Sequence, residues 1–277
     1  MEKLIDFDGL FDEKLTQFME ENKNKYTEKQ WEDIIPKLYK KFGDTFVAKI
    51  KCTPKEYYAR MNSEELASTL LAHLQEDIPV PEFLCAEIEN RDNIEALLPL
   101  LNCEHVSAAT YAVNLIGDDP RAYDAYFSLL ESDKTDEDVR GDIIEIFKLH
   151  ADVIKEQALA AFENGTQKES MLEILSRTKS RDERVYEILM QAFLSGEETP
   201  MHASYLAAYG DERALPVLLE KIEDRSIGFV EFQELKYAIE ALGGEYNEER
   251  DFSADKDYLA VEEATSKLAA ENNELKS

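Results

Sequence analysis

Gly210-Asp-Glu-Arg-Ala-Leu-Pro-Val-Leu-Leu-Glu-Lys-Ile222, followed after a short break by a second amphipathic run ending at Leu242, decides the fold. Leu215, Leu218, Leu219 and Ile222 recur at helical spacing, as do Phe232, Leu235, Ile239 and Leu242. A single pair of such helices leaves an apolar stripe it cannot bury, so the pair implies neighbours of the same kind.

The chain supplies them. Asp92, Asp118, Asp152, Asp182 and Asp211 each stand before an apolar helical run, at intervals of 26, 34, 30 and 29 residues. Gly117-Asp-Asp-Pro-Arg-Ala122 matches Gly210-Asp-Glu-Arg-Ala214 and lies 93 residues earlier, three periods of 31. Asp182-Glu-Arg-Val185 repeats the same opening. Each Asp is expected to cap the first helix of its unit, its carboxylate accepting free amides at the positive end of the dipole. The Gly before it is expected to end the preceding helix with a positive φ. Every unit reads as two helices, for example Val185/Ile188/Leu189/Phe193 followed by Leu206/Tyr209, with Thr199-Pro200 marking a second-helix start. The spacing therefore predicts an all-α fold, a right-handed α-solenoid of about five helical hairpins over residues 91–244.

These residues resemble the short HEAT-like repeat of phycobilin lyase-type proteins, best over Gly210–Gly243 and Gly117–Leu130. The unit at 152–180 departs from the pattern, with Lys-Leu-His-Ala-Asp in place of Gly-Asp and no Pro. The resemblance implies that second helices line a concave face. It does not fix an activity, because scaffolds, lyases and DNA-repair enzymes share the repeat.

Residues 1–90 read as a helical, non-repetitive N-terminal region. Thr27-Glu-Lys-Gln30 and Thr53-Pro-Lys-Glu56 fit capping boxes, Ser63 reads as the next cap, and Pro36 is expected to kink or delay the helix that holds it. Between Ile34 and Arg60 stand Lys37, Lys40, Lys41, Lys49, Lys51, Lys55 and Arg60 against only Asp44 and Glu56. Docking of this basic island on the acidic remainder of the chain is the expectation, with an anionic partner as the alternative. Residues 245–277 read as a polar linker and a last helix carrying Tyr258, Val261, Ala264, Leu268 and Leu275, suited to capping the end of the stack.

The 277 residues hold 60 acidic against 31 basic side chains, a formal net charge of −29. Such acidity repels phosphate backbones and anionic lipid and suits a basic protein or peptide, or a cation. Three cysteines, Cys52, Cys85 and Cys103, make no disulfide framework and fit a reducing cytoplasm. The longest stretch free of Asp, Glu, Lys and Arg is the 13 residues His105 to Gly117, short of the roughly 20 a membrane helix needs.

Motifs for chemistry are weak. The cluster of Cys85, Cys103 and His105 lacks paired zinc-ligand spacing, the four His lie in separate runs, and no phosphate loop or nucleophile elbow appears. No metal or cofactor is expected. Tyr111, Arg140, Arg177, His202, Tyr205 and Tyr237 fall on or beside second helices, where aromatic and Arg side chains make binding anchors. The leading reading is a non-catalytic interaction scaffold binding another protein. A bilin lyase-type enzyme is the alternative implied by the resemblance. A HEAT-like DNA glycosylase fits least, because the only Trp, Trp31, lies outside the repeats and residues 91–244 are acidic.

Overall fold

The computed structural model describes residues 4–23 and 25–274, and among these the protein is all-α, with no strand. Helices α1 (Phe7–Glu21), α2 (Glu28–Phe42), α3 (Pro54–Ala59), α4 (Ser63–Gln75) and α5 (Glu82–Glu89) come first. They are followed by α6 (Ile94–Leu101), α7 (Val106–Ile116), α8 (Tyr123–Glu131), α9 (Glu137–Leu149), α10 (Ala151–Glu163) and α11 (Lys168–Leu175). The last are α12 (Glu183–Leu194), α13 (Thr199–Tyr209), α14 (Leu215–Ile222), α15 (Phe229–Ala241) and α16 (Lys256–Glu274). The chain packs as two compact units, residues 1–143 and 144–277.

Local signals place some of the helix starts. Thr27 with Gln30 and Thr53 with Glu56 form both reciprocal bonds of a capping box. The next box is Asn62 with Glu65, one residue before the expected Ser63, because the Asn62 side chain already accepts from the Glu65 amide. Pro36 does not delay α2, which is assigned from Glu28 to Phe42 with the proline inside it. Its ring sits on the exposed face, where water can satisfy the carbonyl left without an amide donor. Thr199 opens α13 from inside the helix, the residue before it, Glu198, being left-handed and making no side-chain cap bond.

The repeated Asp residues divide into two kinds. Asp182 caps α12, accepting from the Arg184 amide, whereas Asp211, and in the Gly117 unit Asp119 in place of Asp118, cap the short 3-10 turns Glu212–Ala214 and Pro120–Ala122 that lead into α14 and α8, whose own N-cap residues, Ala214 and Ala122, make no side-chain bond. Asp92 and Asp152 are not caps. Asp92 receives Arg121 of the following unit, while Asp152 accepts from the amides of Lys179 and Ser180 ahead of the next first helix. Gly117 and Gly210 close α7 and α13 at φ +62° and +73°, backbone angles that L side chains rarely adopt.

In the unit of residues 1–143 the interior of α1–α5 is aromatic. Phe11 meets Tyr39 edge-on at 5.0 Å and Tyr39 stacks on Phe83 at 4.7 Å, while Phe7 lies 5.6 Å from Tyr58. In the unit of residues 144–277 the packed pairs are α10 with α11, α12 with α13 and α14 with α15; α13 also packs on α11 and α15. The expected stripes are largely inside: Val185, Leu189, Phe193, Leu206 and Tyr209 are buried, as are Phe232, Leu235, Ile239 and Leu242.

The start of α16 is anchored. Asp255 accepts from the Phe229 amide, and the Tyr258 ring meets Phe229 edge-on. From Leu259 to Lys267 the helix is exposed, so among the described residues its packing is confined to the first turn. The Leu268 side chain and Leu275 lie outside the described residues. Among the described residues no helix is long and apolar enough to cross a membrane.

Candidate functional site

Within residues 144–277, the end of α9 together with α11 and α13 presents a connected polar seam. Glu169 and Glu173 lie one turn apart on α11, on the same face. Lys148, near the end of α9, donates to Glu173 at 2.8 Å and to Glu145 at 2.7 Å. His202 on α13 meets Glu169 through Nε2 at 3.2 Å, and the Tyr205 ring lies 6.1 Å from the imidazole.

The seam is partly dry. His202 and Tyr205 are buried, and neither His202 Nδ1 nor Glu169 Oε1 has a hydrogen-bond partner. Burial, with the negative charges of Glu169 and Glu173, pushes the Tyr205 hydroxyl well above the ordinary phenol range, so it stays protonated. Burial pulls on Lys148 in the opposite direction, but Glu145 and Glu173 outweigh it and its pKa is raised. The result is a row of fixed carboxylates with a protonated phenol beside them: acceptors and a donor suited to an amide backbone and a cationic side chain.

Of the six residues singled out in the sequence, this arrangement gathers three. His202 and Tyr205 are in the seam, and Arg177, exposed just past the end of α11, lies near enough for its charge to act on Tyr205. Tyr237 on α15 is exposed over 65% of its surface, with no contact tying it to the seam. Tyr111 on α7 is half-buried in the other unit, and burial raises its pKa.

Arg140 is buried, which runs against the expectation that it anchors a partner. It donates to the carbonyls of Leu130, Ser132 and Thr135, closing the C-terminal end of α8. Glu169 and Glu173 were not singled out, although their spacing of four, with Arg177 four further on, marks one helical face.

No group of three or more His, Cys, Asp or Glu side chains suited to a metal ion occurs among the described residues. No protein-family model, curated protein or solved structure matches this chain.

Proposed function

We propose that residues 91–244 form an α-solenoid of HEAT-like hairpins, and that the protein is a non-catalytic adaptor whose second-helix face binds a polypeptide of basic character. The solenoid reading is supported by one contact that recurs from unit to unit. Arg121 grips Asp92, Arg184 grips Glu156 and Arg213 grips Glu183, spanning 29, 28 and 30 residues. In each case the same Arg is held by the Asp two residues before it. Equal contacts at a near-constant period are what stacked units require.

The seam of Glu145, Glu169 and Glu173 carries the binding reading. Its carboxylates are held in place before any partner arrives, which lowers the ordering cost of association, and the net charge of −29 draws cationic segments toward it.

The test is fluorescence anisotropy with a labelled Lys/Arg-rich dodecapeptide containing one Leu and one Tyr, titrated with the full chain at low and moderate salt. Glu169→Gln with Glu173→Gln is expected to weaken binding about tenfold, equivalent to ~1.4 kcal/mol. Binding that is equal in the double variant sinks the assignment of the seam.

A further inference from the structure

Asn164-Gly165 is the one Asn–Gly pair in the 277 residues. Every other Asn is followed by a residue whose side chain crowds the main-chain amide. Glycine has no Cβ and leaves that amide open. Here, then, the Gly165 nitrogen can reach the side-chain carbonyl carbon of Asn164 by closing a five-membered ring.

The end of α10 requires that glycine. The Thr166 amide donates to the Ala161 carbonyl at 3.3 Å and the Gly165 amide to the Phe162 carbonyl at 3.0 Å. These are the two bonds of a Schellman close, and Gly165 supplies its left-handed residue at φ +84°. Only Lys168 Cε, at 3.9 Å, comes near the place where a Cβ would stand, so the backbone angle and not crowding excludes other residues. Asn164, at the C-cap, is exposed, and its side chain makes no hydrogen bond among the described residues. Asn62, whose neighbour Ser63 is also small, is different: its side chain is tied to the Glu65 amide and α4 follows at once. Gln167, at φ +43° just before α11, adds a strained residue to the same connection.

We infer that Asn164 is the site at which this protein deamidates, and that the reaction unfastens the end of α10. The Gly165 nitrogen bonds to Asn164 Cγ, the Cγ–Nδ2 bond breaks, and ammonia leaves with the proton that the Gly165 amide carried. Water then opens the succinimide at Cγ to give aspartate, or at the main-chain carbonyl to give isoaspartate. Either product adds a negative charge beside Glu163, at the negative end of the α10 dipole. Isoaspartate also lengthens the main chain by a methylene inside the turn, which removes the register that both closing bonds need. Attack is blocked while Phe162 holds the Gly165 amide and Asn164 keeps ψ −8°. Opening of the last turn therefore sets the rate, and helix ends open most easily. This chemistry is independent of the function proposed for the seam on α9, α11 and α13.

The experiment is incubation of the full chain at mildly alkaline pH, with peptide mapping by mass spectrometry at intervals to read the replacement of NH2 by OH at each Asn. A synthetic peptide of residues 160–169 is incubated alongside. Asn164 is expected to convert before the other Asn residues, and the peptide, which has no closed turn to open, to react at least about tenfold faster than the chain. Asn164→Gln should abolish the first conversion, because its ring closure needs a larger, slower-forming imide. Converted chain, separated by anion exchange through its added charge, is expected to be cut by thermolysin within residues 160–168 at least about tenfold faster than unconverted chain. Conversion of Asn62 or Asn247 ahead of Asn164, or converted chain as resistant to thermolysin as the original, overturns the inference. A peptide that reacts no faster than the folded chain overturns the control by turn opening.

Discussion

The described residues up to 90 and residues 91–244 both build their regular structure from helices alone, yet different contacts stand out in each. The first stretch fills its interior with rings: Phe7, Phe11, Tyr39, Phe42, Tyr58 and Phe83 meet at 4.7 to 6.2 Å across helices α1, α2, α3 and α5. The second buries rings too, among them Tyr126, Phe147 and Phe193, beside its Leu, Ile and Val side chains, and adds one polar contact found three times, an Arg held by the Asp two residues before it that reaches an acid 28 to 30 residues earlier. Large rings fill the irregular gaps between helices in both stretches. Three like contacts at a near-constant spacing are what stacked repeats of the kind proposed would require.

The largest effect expected from this contrast lies in the aromatic interior. Tyr58 is fully buried and its hydroxyl has no hydrogen-bond partner. Tyr58→Ala should cost ~3–5 kcal/mol by opening a cavity, whereas Tyr58→Phe should be neutral or stabilising, since it removes an unsatisfied polar atom. Urea unfolding of the pair measures both. A large loss in the Phe variant would show that the hydroxyl matters and that ring packing alone does not hold this region.

An intermediate effect is expected at Arg140, whose guanidinium satisfies three carbonyls near the end of α8. Arg140→Met keeps the length of the side chain and strips its donors, and should cost ~1–3 kcal/mol. Arg91 and Arg250 hold the carbonyls of Ala59 and Ile222 in the same manner, so the device is not confined to one unit. If Arg140→Met melts like the wild type, the carbonyls are satisfied by water and the polar contacts are dispensable.

The smallest effect is expected from acid. Hydrogen bonds from the Arg121 side chain and amide hold Asp119 at a pKa of about 2, below the ordinary 3.8. A depressed folded-state pKa adds stability above the unfolded value, and that stability is lost as pH falls from about 4 toward 2. Asp119 is a surface group, so the loss should be slight. A pH titration followed by circular dichroism should show a shallower acid limb in Asp119→Asn. Identical limbs would mean that the Arg–Asp contacts set geometry without contributing stability.

What could be read from the sequence was what neighbours along the chain decide. The boxes Thr27/Gln30 and Thr53/Glu56 are legible because both partners lie within four residues. So are the caps Asp182 and Asp211, the turns at Gly117 and Gly210, and most of the stripe that each helix buries. The charge of the island around Lys49 and Lys51 was equally plain.

Tertiary structure decided which groups meet. Asp92 and Asp182 stand before similar helices, but one receives a distant Arg and the other caps its own helix. The place of Arg140 in the sequence suits an anchor, yet its guanidinium is spent on carbonyls. His202 and Glu169, 33 residues apart, come within 3.2 Å only because α13 packs on α11. Helix starts and stripes depend on dihedral and hydration preferences that act within a few residues, whereas pairing and burial depend on separations that only the packed chain sets.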